Sequence, residues 1–289
     1  MPARSAWPAP ISGPSVRTAS PDFVRRTVPA LGRDVFRLGI ACNYGIDARG
    51  FERAVERGVE YVFWTQLRTG AVEPALKQLL ASRRDRIVLG TGPSVGYFGG
   101  NVRRGAERLL RQLGVERIDV YHLFWVGVGS SLSDGTMEAM ARLKEEGKVG
   151  AFAISIHDRK RAGELVKTSP IDWYMLRYNA AHPGAERDVF PNLSEAPKKP
   201  AICAYTATSW RKLLKRPSGW TGAPMTAGDC YRFCLSSPHV DVALMGPASV
   251  AQVDENLDAL ARGALTPEEA TWMRAFGSAK RMSLAPAHS

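Results

Sequence analysis

The chain has 289 residues, 45% of them hydrophobic and 23% charged, with four cysteines. That composition excludes a disordered chain, a collagen-like repeat and a small disulfide scaffold. A formal charge of +11 invites nucleic acid as a partner, yet the cations are scattered along amphipathic patterns with no nucleic-acid module among them. Residues 1–24 read as a Pro-, Ser- and Ala-rich flexible arm without the apolar core of a secretion signal. From residue 36, short apolar runs alternate with helical patterns. The predicted strands are 36–41, 60–64, 87–91, 118–125, 149–155, 171–176, 201–205 and 240–245. The predicted helices are 48–57, 72–83, 100–113, 134–146, 158–168, 184–190, 224–236 and 249–261. A last helix over 266–278 has Thr266 as N-cap and Pro267 at its first position, and 282–289 is a tail. The apolar runs are too short to span a membrane as helices, so no membrane partner is expected. They lack strict alternation, as strands do when both faces are buried in a parallel sheet. Eight β–α units predict a single (β/α)8 TIM barrel over residues 25–281. No G-x-G-x-x-G follows the first strand, which counts against a doubly wound sheet. The cysteines are expected to be thiols in a cytoplasmic protein.

In such a barrel the chemistry sits at the C-terminal strand ends. Several passages there carry a resemblance. They are Leu113–Tyr121 (LGVERIDVY), Glu145–Ser155 (EEGKVGAFAIS), the pair Ala204-Tyr205 and Gly246–Leu257 (GPASVAQVDENL). Together they resemble the aldo-keto reductase superfamily, from about residue 25 to 279. The resemblance implies carbonyl reduction with NADPH through an Asp, a Tyr acid, a Lys and a His. In that set the Lys lowers the Tyr pKa, the Asp holds the Lys and the His orients the carbonyl. The matching positions here are Phe63 (or Trp64), Arg68 or Thr69, Gly92 and Phe124. An atypical branch is therefore expected, in which the usual proton relay does not operate. At the cofactor end the resemblance implies Ser155 for the nicotinamide carboxamide, Tyr205 for its ring, and Glu255 and Asn256 for the adenine. Gly246, Ser249 and Gln252 belong to the same loop, and Arg211 to a segment, 209–223, resembling one that folds over the pyrophosphate. The usual 2′-phosphate cations fall at Gly246, Ala248 or Gln252, which leaves NADP or NAD open as cofactor.

Other residues are candidates for the missing chemistry. The loop 177–187 (RYNAAHPGAER) offers Tyr178 and His182 as an acid–base pair, with Glu186 to orient His182 or cap a helix. The competing role for Asn179 and His182 is to satisfy loop backbone. His157 shares its facing with Ser155, while Asp158 reads as a helix N-cap. Arg68 could clamp a carboxylate or phosphate. His122 reads as a core histidine. The set His122, His157 and His182 lacks carboxylate or Cys support, so no metal is expected. Cys230 and Cys234 read as core, and Cys42 as a mouth residue needing a His partner. Trp64, Tyr97, Phe98, Phe124, Trp125, Trp210 and Trp220 predict a small, apolar or aromatic substrate, with an anionic group if an Arg meets it. The leading function is an atypical nicotinamide-dependent oxidoreductase. The alternatives are a redox-neutral lyase, isomerase or cyclase, and a non-catalytic cofactor-binding or sensor protein.

Overall fold

The computed structural model describes residues 20–93 and 99–284. Expectations for most of the arm, for Tyr97 and Phe98, and for 285–289 lie outside the described residues. Eight apolar runs form strands: β3 (Leu38–Ala41), β4 (Tyr61–Phe63), β5 (Val88–Thr91), β6 (Ile118–Val126), β7 (Val149–Ile156), β8 (Trp173–Arg177), β9 (Ala201–Tyr205) and β10 (Val242–Met245). They pair in parallel and close into a barrel in the order β10-β3-β4-β5-β6-β7-β8-β9. The longer connecting helices are α2 (Ala48–Glu56), α3 (Glu73–Ser82), α4 (Gly99–Leu113), α5 (Asp134–Glu145), α6 (Arg159–Thr168), α8 (Ala227–Leu235) and α9 (Val250–Ala259), with α1 (Pro21–Val24) and α7 (Ala185–Asp188) single turns. Asp158 caps α6 as expected, accepting from the Arg161 N–H at 3.1 Å. The last helix, α10 (Pro267–Leu284), runs further than the pattern predicts.

One element escapes the sequence pattern. Phe36 belongs not to the barrel but to a hairpin, β1 (Arg25–Val28) with β2 (Arg33–Phe36). The hairpin turns Val28 and Val35 into the interior cluster of the barrel, closing its N-terminal end. Arg37, next to it, is buried and donates to the carbonyls of Phe23, Leu235, Val240 and Asp241. Those bonds tie the chain's entry to the barrel's last strand.

The same end shows a repeated device. A carboxylate opens every second barrel strand and accepts from a neighbouring backbone N–H: Glu60 from Phe36, Asp119 from Leu89, Asp172 from Phe152 and Asp241 from Ile202. Each also pairs with a cation, Arg25, Arg84, Lys144 and Arg26 respectively. Above this ring the barrel is filled by large aromatics. Tyr61 stacks on Trp173 with centroids 5.0 Å apart, and its hydroxyl lies 2.9 Å from His122 Nε2. The next layer, Ala41, Phe63, Met175 and Leu244 with Phe124 and Tyr205 beside them, is the floor of the mouth.

Candidate functional site

Strand parity decides which side chains reach that mouth. On β8, Trp173 and Met175 face the barrel interior, while Tyr174, Leu176 and Tyr178 face the helix layer. Arg177 continues the inward series, two residues beyond Met175. The mouth is also backbone-strained: among the described residues, the non-glycine residues with positive φ are Arg68, Trp125, Thr206, Ser209, Trp210 and Arg211. Trp125 lies at the C-terminal end of β6 and the others in segments following barrel strands, where strain of this kind accompanies function.

A cleft of about 600 Å³ opens over the floor, in the size range of ligand pockets. Of the residues expected at the cofactor end, Tyr205, Arg211, Gly246, Gln252, Glu255 and Asn256 line it, and Phe63 and Met175 form its base. Ser249 stands beside it as the N-cap of α9, its Oγ accepting from the Gln252 N–H. Gln252 Oε1 in turn accepts from the Ala248 N–H. Ser155 is buried at the end of β7, where its Oγ accepts from the Trp125 N–H at 2.9 Å.

At the floor, Phe124 stacks on His122 with centroids 5.8 Å apart, and Phe63 meets both edge-on. A Cβ on Gly92 would lie 2.2 Å from the His122 carbonyl oxygen and 3.0 Å from the Phe124 ring. No side chain fits there without a backbone shift. Full burial pushes the His122 pKa down to about 3.

On the far side of the mouth the expected acid–base pair separates. Tyr178 points outward between Phe190 and Phe233 and donates to Glu186 Oε1 at 2.6 Å. Glu186 is ion-paired with Arg274 and does not orient His182. The outward parity of Tyr178 overturns its pairing with His182, and burial, with the Glu186 carboxylate beside it, raises its phenol far above the usual range. His182 is half-buried and does not line the cleft, its Nδ1 3.2 Å from Asn179 Oδ1. Asn179 also accepts from the N–H groups of Ala181 and His182, so the loop-structuring role holds for it. Burial, then the charges of Arg177, Arg159, Arg281 and Lys212, push the His182 pKa down to about 4.

His157 is exposed, and its Nδ1 lies 3.1 Å from the Tyr205 hydroxyl. Burial raises the Tyr205 phenol to about 12, against an opposing pull from Arg177. Burial and then Arg177 lower the His157 pKa. Arg177 was missed in the sequence, although its parity with Met175 was available. Arg68 is exposed on the loop after β4 and does not line the cleft. Cys42 is fully buried, which raises its thiol pKa and removes it as a nucleophile. Cys230 and Cys234 are core, the latter donating to the Tyr178 carbonyl. Trp64 is buried, and Trp220 packs on Phe276 of α10 rather than over the mouth. Among the described residues no three His, Cys, Asp or Glu side chains converge as metal ligands, and no helix is long and apolar enough to cross a membrane.

Comparisons with known proteins agree with this architecture. A relative in Bacillus subtilis, the uncharacterized oxidoreductase YqkF, is 22% identical over 88% of this chain and 96% of its own. The holo form of the aldo-keto reductase AKR11C1 from Bacillus halodurans superposes with a TM-score of 0.74 at 22% identity, over 87% of this chain and 95% of that one. An aldo-keto reductase from Klebsiella pneumoniae in complex with NADPH gives 0.73 at 21% identity, over 88% and 96%. The model of the aldo/keto reductase family matches residues 49–209, more than half the chain. The chain therefore belongs to the aldo/keto reductase family.

Proposed function

We propose that the chain is a nicotinamide-dinucleotide-dependent oxidoreductase that reduces a carbonyl without the family's usual Asp, Tyr, Lys and His. The reading is supported most by one observation. The cleft runs from the aromatic face of Tyr205 and the thioether of Met175 to the polar group of Gln252, Glu255 and Asn256. That lining suits an extended dinucleotide, with Tyr205 at the nicotinamide end and Glu255 and Asn256 at the adenine end. Arg211 is the cation in the described lining and suits the pyrophosphate. No described cation lines the end near Glu255 to hold a 2′-phosphate, so NADPH gains little over NADH.

Phe63, Gly92 and Phe124 occupy the positions of the usual Asp, Lys and His, and Arg68 or Thr69 that of the Tyr. Phe63, at the base of the cleft, can seat an apolar or aromatic small molecule but cannot deliver a proton. When bound, the nicotinamide supplies the hydride. The proton falls to the pair Tyr205 and His157. Tyr205 lines the cleft, and His157 is exposed to water and hydrogen-bonded to its hydroxyl. A raised phenol pKa keeps Tyr205 protonated and able to donate to a developing alkoxide. His157 then returns a proton to it from solvent. Neither Tyr178, which faces away, nor Arg68, which is exposed and does not line the cleft, serves as this donor.

The test is a fluorescence and calorimetric titration with NADH and NADPH. Binding of both at micromolar concentration, within roughly tenfold of each other, is expected. Tyr205→Phe should keep that affinity and lower turnover by about 10²-fold or more, the usual weight of a general acid. Tyr205→Ala should lose both. No binding of either dinucleotide up to millimolar concentration overturns the proposal.

A further inference from the structure

Arg177 has no ion pair among the described residues. Its Nε is shielded from water with no acceptor, and its contact among the described residues is the Trp210 ring, 6.0 Å away. Trp210 also lines the cleft, so the guanidinium lies at the cleft's edge. His182, on the following loop, is surrounded by positive charge from four elements. Arg177 comes from β8, Arg159 from α6, Lys212 from the turn after β9 and Arg281 from α10. Arg159 is matched by Asp188. Arg177, Lys212 and Arg281 have no carboxylate partner among the described residues, and no carboxylate is among the charges acting on His182.

The imidazole is already oriented. Asn179 Nδ2 donates to the Thr206 carbonyl, which fixes Asn179 Oδ1 toward His182 Nδ1. Nδ1 therefore carries the hydrogen, and Nε2 is left to accept a proton and donate it outward. The shielded, unpartnered Nε of Arg177 costs free energy in the empty protein. A bound anion removes that cost, taking a planar two-pronged contact from Arg177 and a further bond from protonated His182.

We infer that Arg177 and His182 form an oxyanion-binding subsite at the edge of the cleft, taking a carboxylate or phosphate group. Assigning that group to the substrate, an oxo acid or a carbonyl compound bearing a phosphate, rests on the oxidoreductase reading above. The anion site itself does not.

The experiment uses the full chain without dinucleotide. Benzoate, phenyl phosphate and neutral benzamide are titrated against wild type, Arg177→Gln and Arg177→Lys, followed by tryptophan fluorescence. His182 is followed by NMR. At least one anionic probe should bind more tightly than benzamide, and whichever of the two does names the source of the charge. Arg177→Gln should weaken that probe tenfold or more and leave benzamide unchanged, with Arg177→Lys between. In wild type, saturating anion should raise the His182 pKa by at least one unit, a readout that needs no variant to fold. Anions binding no better than benzamide, or a His182 titration indifferent to them, overturns the inference. A parallel NADH titration separates the two ideas. Anion binding without NADH binding removes the oxidoreductase reading and leaves the subsite, and the reverse removes the subsite alone.

Discussion

At the scale of single residues, the mouth floor is decided by Gly92 and His122. A methyl at position 92 meets a carbonyl oxygen that no side-chain rotation can move. Gly92→Ala is therefore expected to cost about 1–3 kcal/mol, read from the urea midpoint. Gly92→Lys should cost more, since a longer side chain starts from the same blocked Cβ. An alanine variant as stable as wild type would contradict the close approach. His122 predicts a pH effect. It is neutral in the fold, with its pKa pushed by burial to about 3 from an ordinary 6.5. Between those values the unfolded chain binds the proton and the folded chain does not, so stability rises with pH. Its contribution is full above about 6.5 and falls on acidification toward 3. His182 acts in the same sense down to about 4. Urea midpoints at several pH values from 7 downward should decline in wild type and less steeply in His122→Gln. Equal slopes would sink this account. Residue identity alone left such sites only half legible. Tyr178 has the side chain of an acid catalyst and Arg177 does not, yet parity turns the tyrosine outward and the arginine into the mouth.

At the scale of elements, the strand-opening carboxylates are the informative unit. They sit in the short sequences Val59-Glu60-Tyr61, Ile118-Asp119-Val120, Ile171-Asp172-Trp173 and Val240-Asp241-Val242. Each bridges two strands where the ladder begins, but their electrostatics differ. Burial pulls the Asp172 pKa up, yet Lys144, the Phe152 N–H and Lys198 outweigh it and hold the carboxyl below its usual range. Asp241 is as buried but pairs with Arg26 at 3.4 Å, a weaker partner, so burial wins and its pKa is raised. The depressed group contributes stability above the ordinary carboxylate pKa that is lost as pH falls through its folded value; the raised one contributes in the opposite sense. At neutral pH Asp172→Asn should cost about 1–3 kcal/mol, and Asp241→Asn distinctly less. The reverse order of urea midpoints would refute the comparison. The eight barrel strands and their helices were legible because buried apolar runs between amphipathic stretches have one economical arrangement. The hairpin was not, because RRTV and RDVF carry four charges and only Val28 and Val35 reveal its buried face. A two-stranded plug has too few apolar positions for a period to show.

At the scale of the whole molecule, charge is sorted between the two ends of the barrel. Cations at the N-terminal end are matched by the strand-opening acids, while three of the four near His182, Arg177, Lys212 and Arg281, have no carboxylate partner among the described residues. One member of that unpaired group, Arg281, is supplied by α10. Arg274 of that helix pairs with Glu186, Arg232 with Glu269 holds its start, and Phe276 packs on Trp220. Gly277 lets the helix approach the loop that carries His182: a Cβ there would lie 2.2 Å from the Ala180 carbonyl oxygen. The helix thus fixes both the height of the loop and the position of Arg281 above it. Gly277→Val should push the two apart, lowering stability by about 1–3 kcal/mol. It should also weaken benzoate or phenyl phosphate binding at least fivefold. NADH affinity should stay within twofold, because Gln252, Glu255 and Asn256 lie on α9 and take no part in this contact. Equal losses of anion and NADH affinity would mean that the substitution disturbs the barrel as a whole, and α10 would then have no particular hold on the anion subsite.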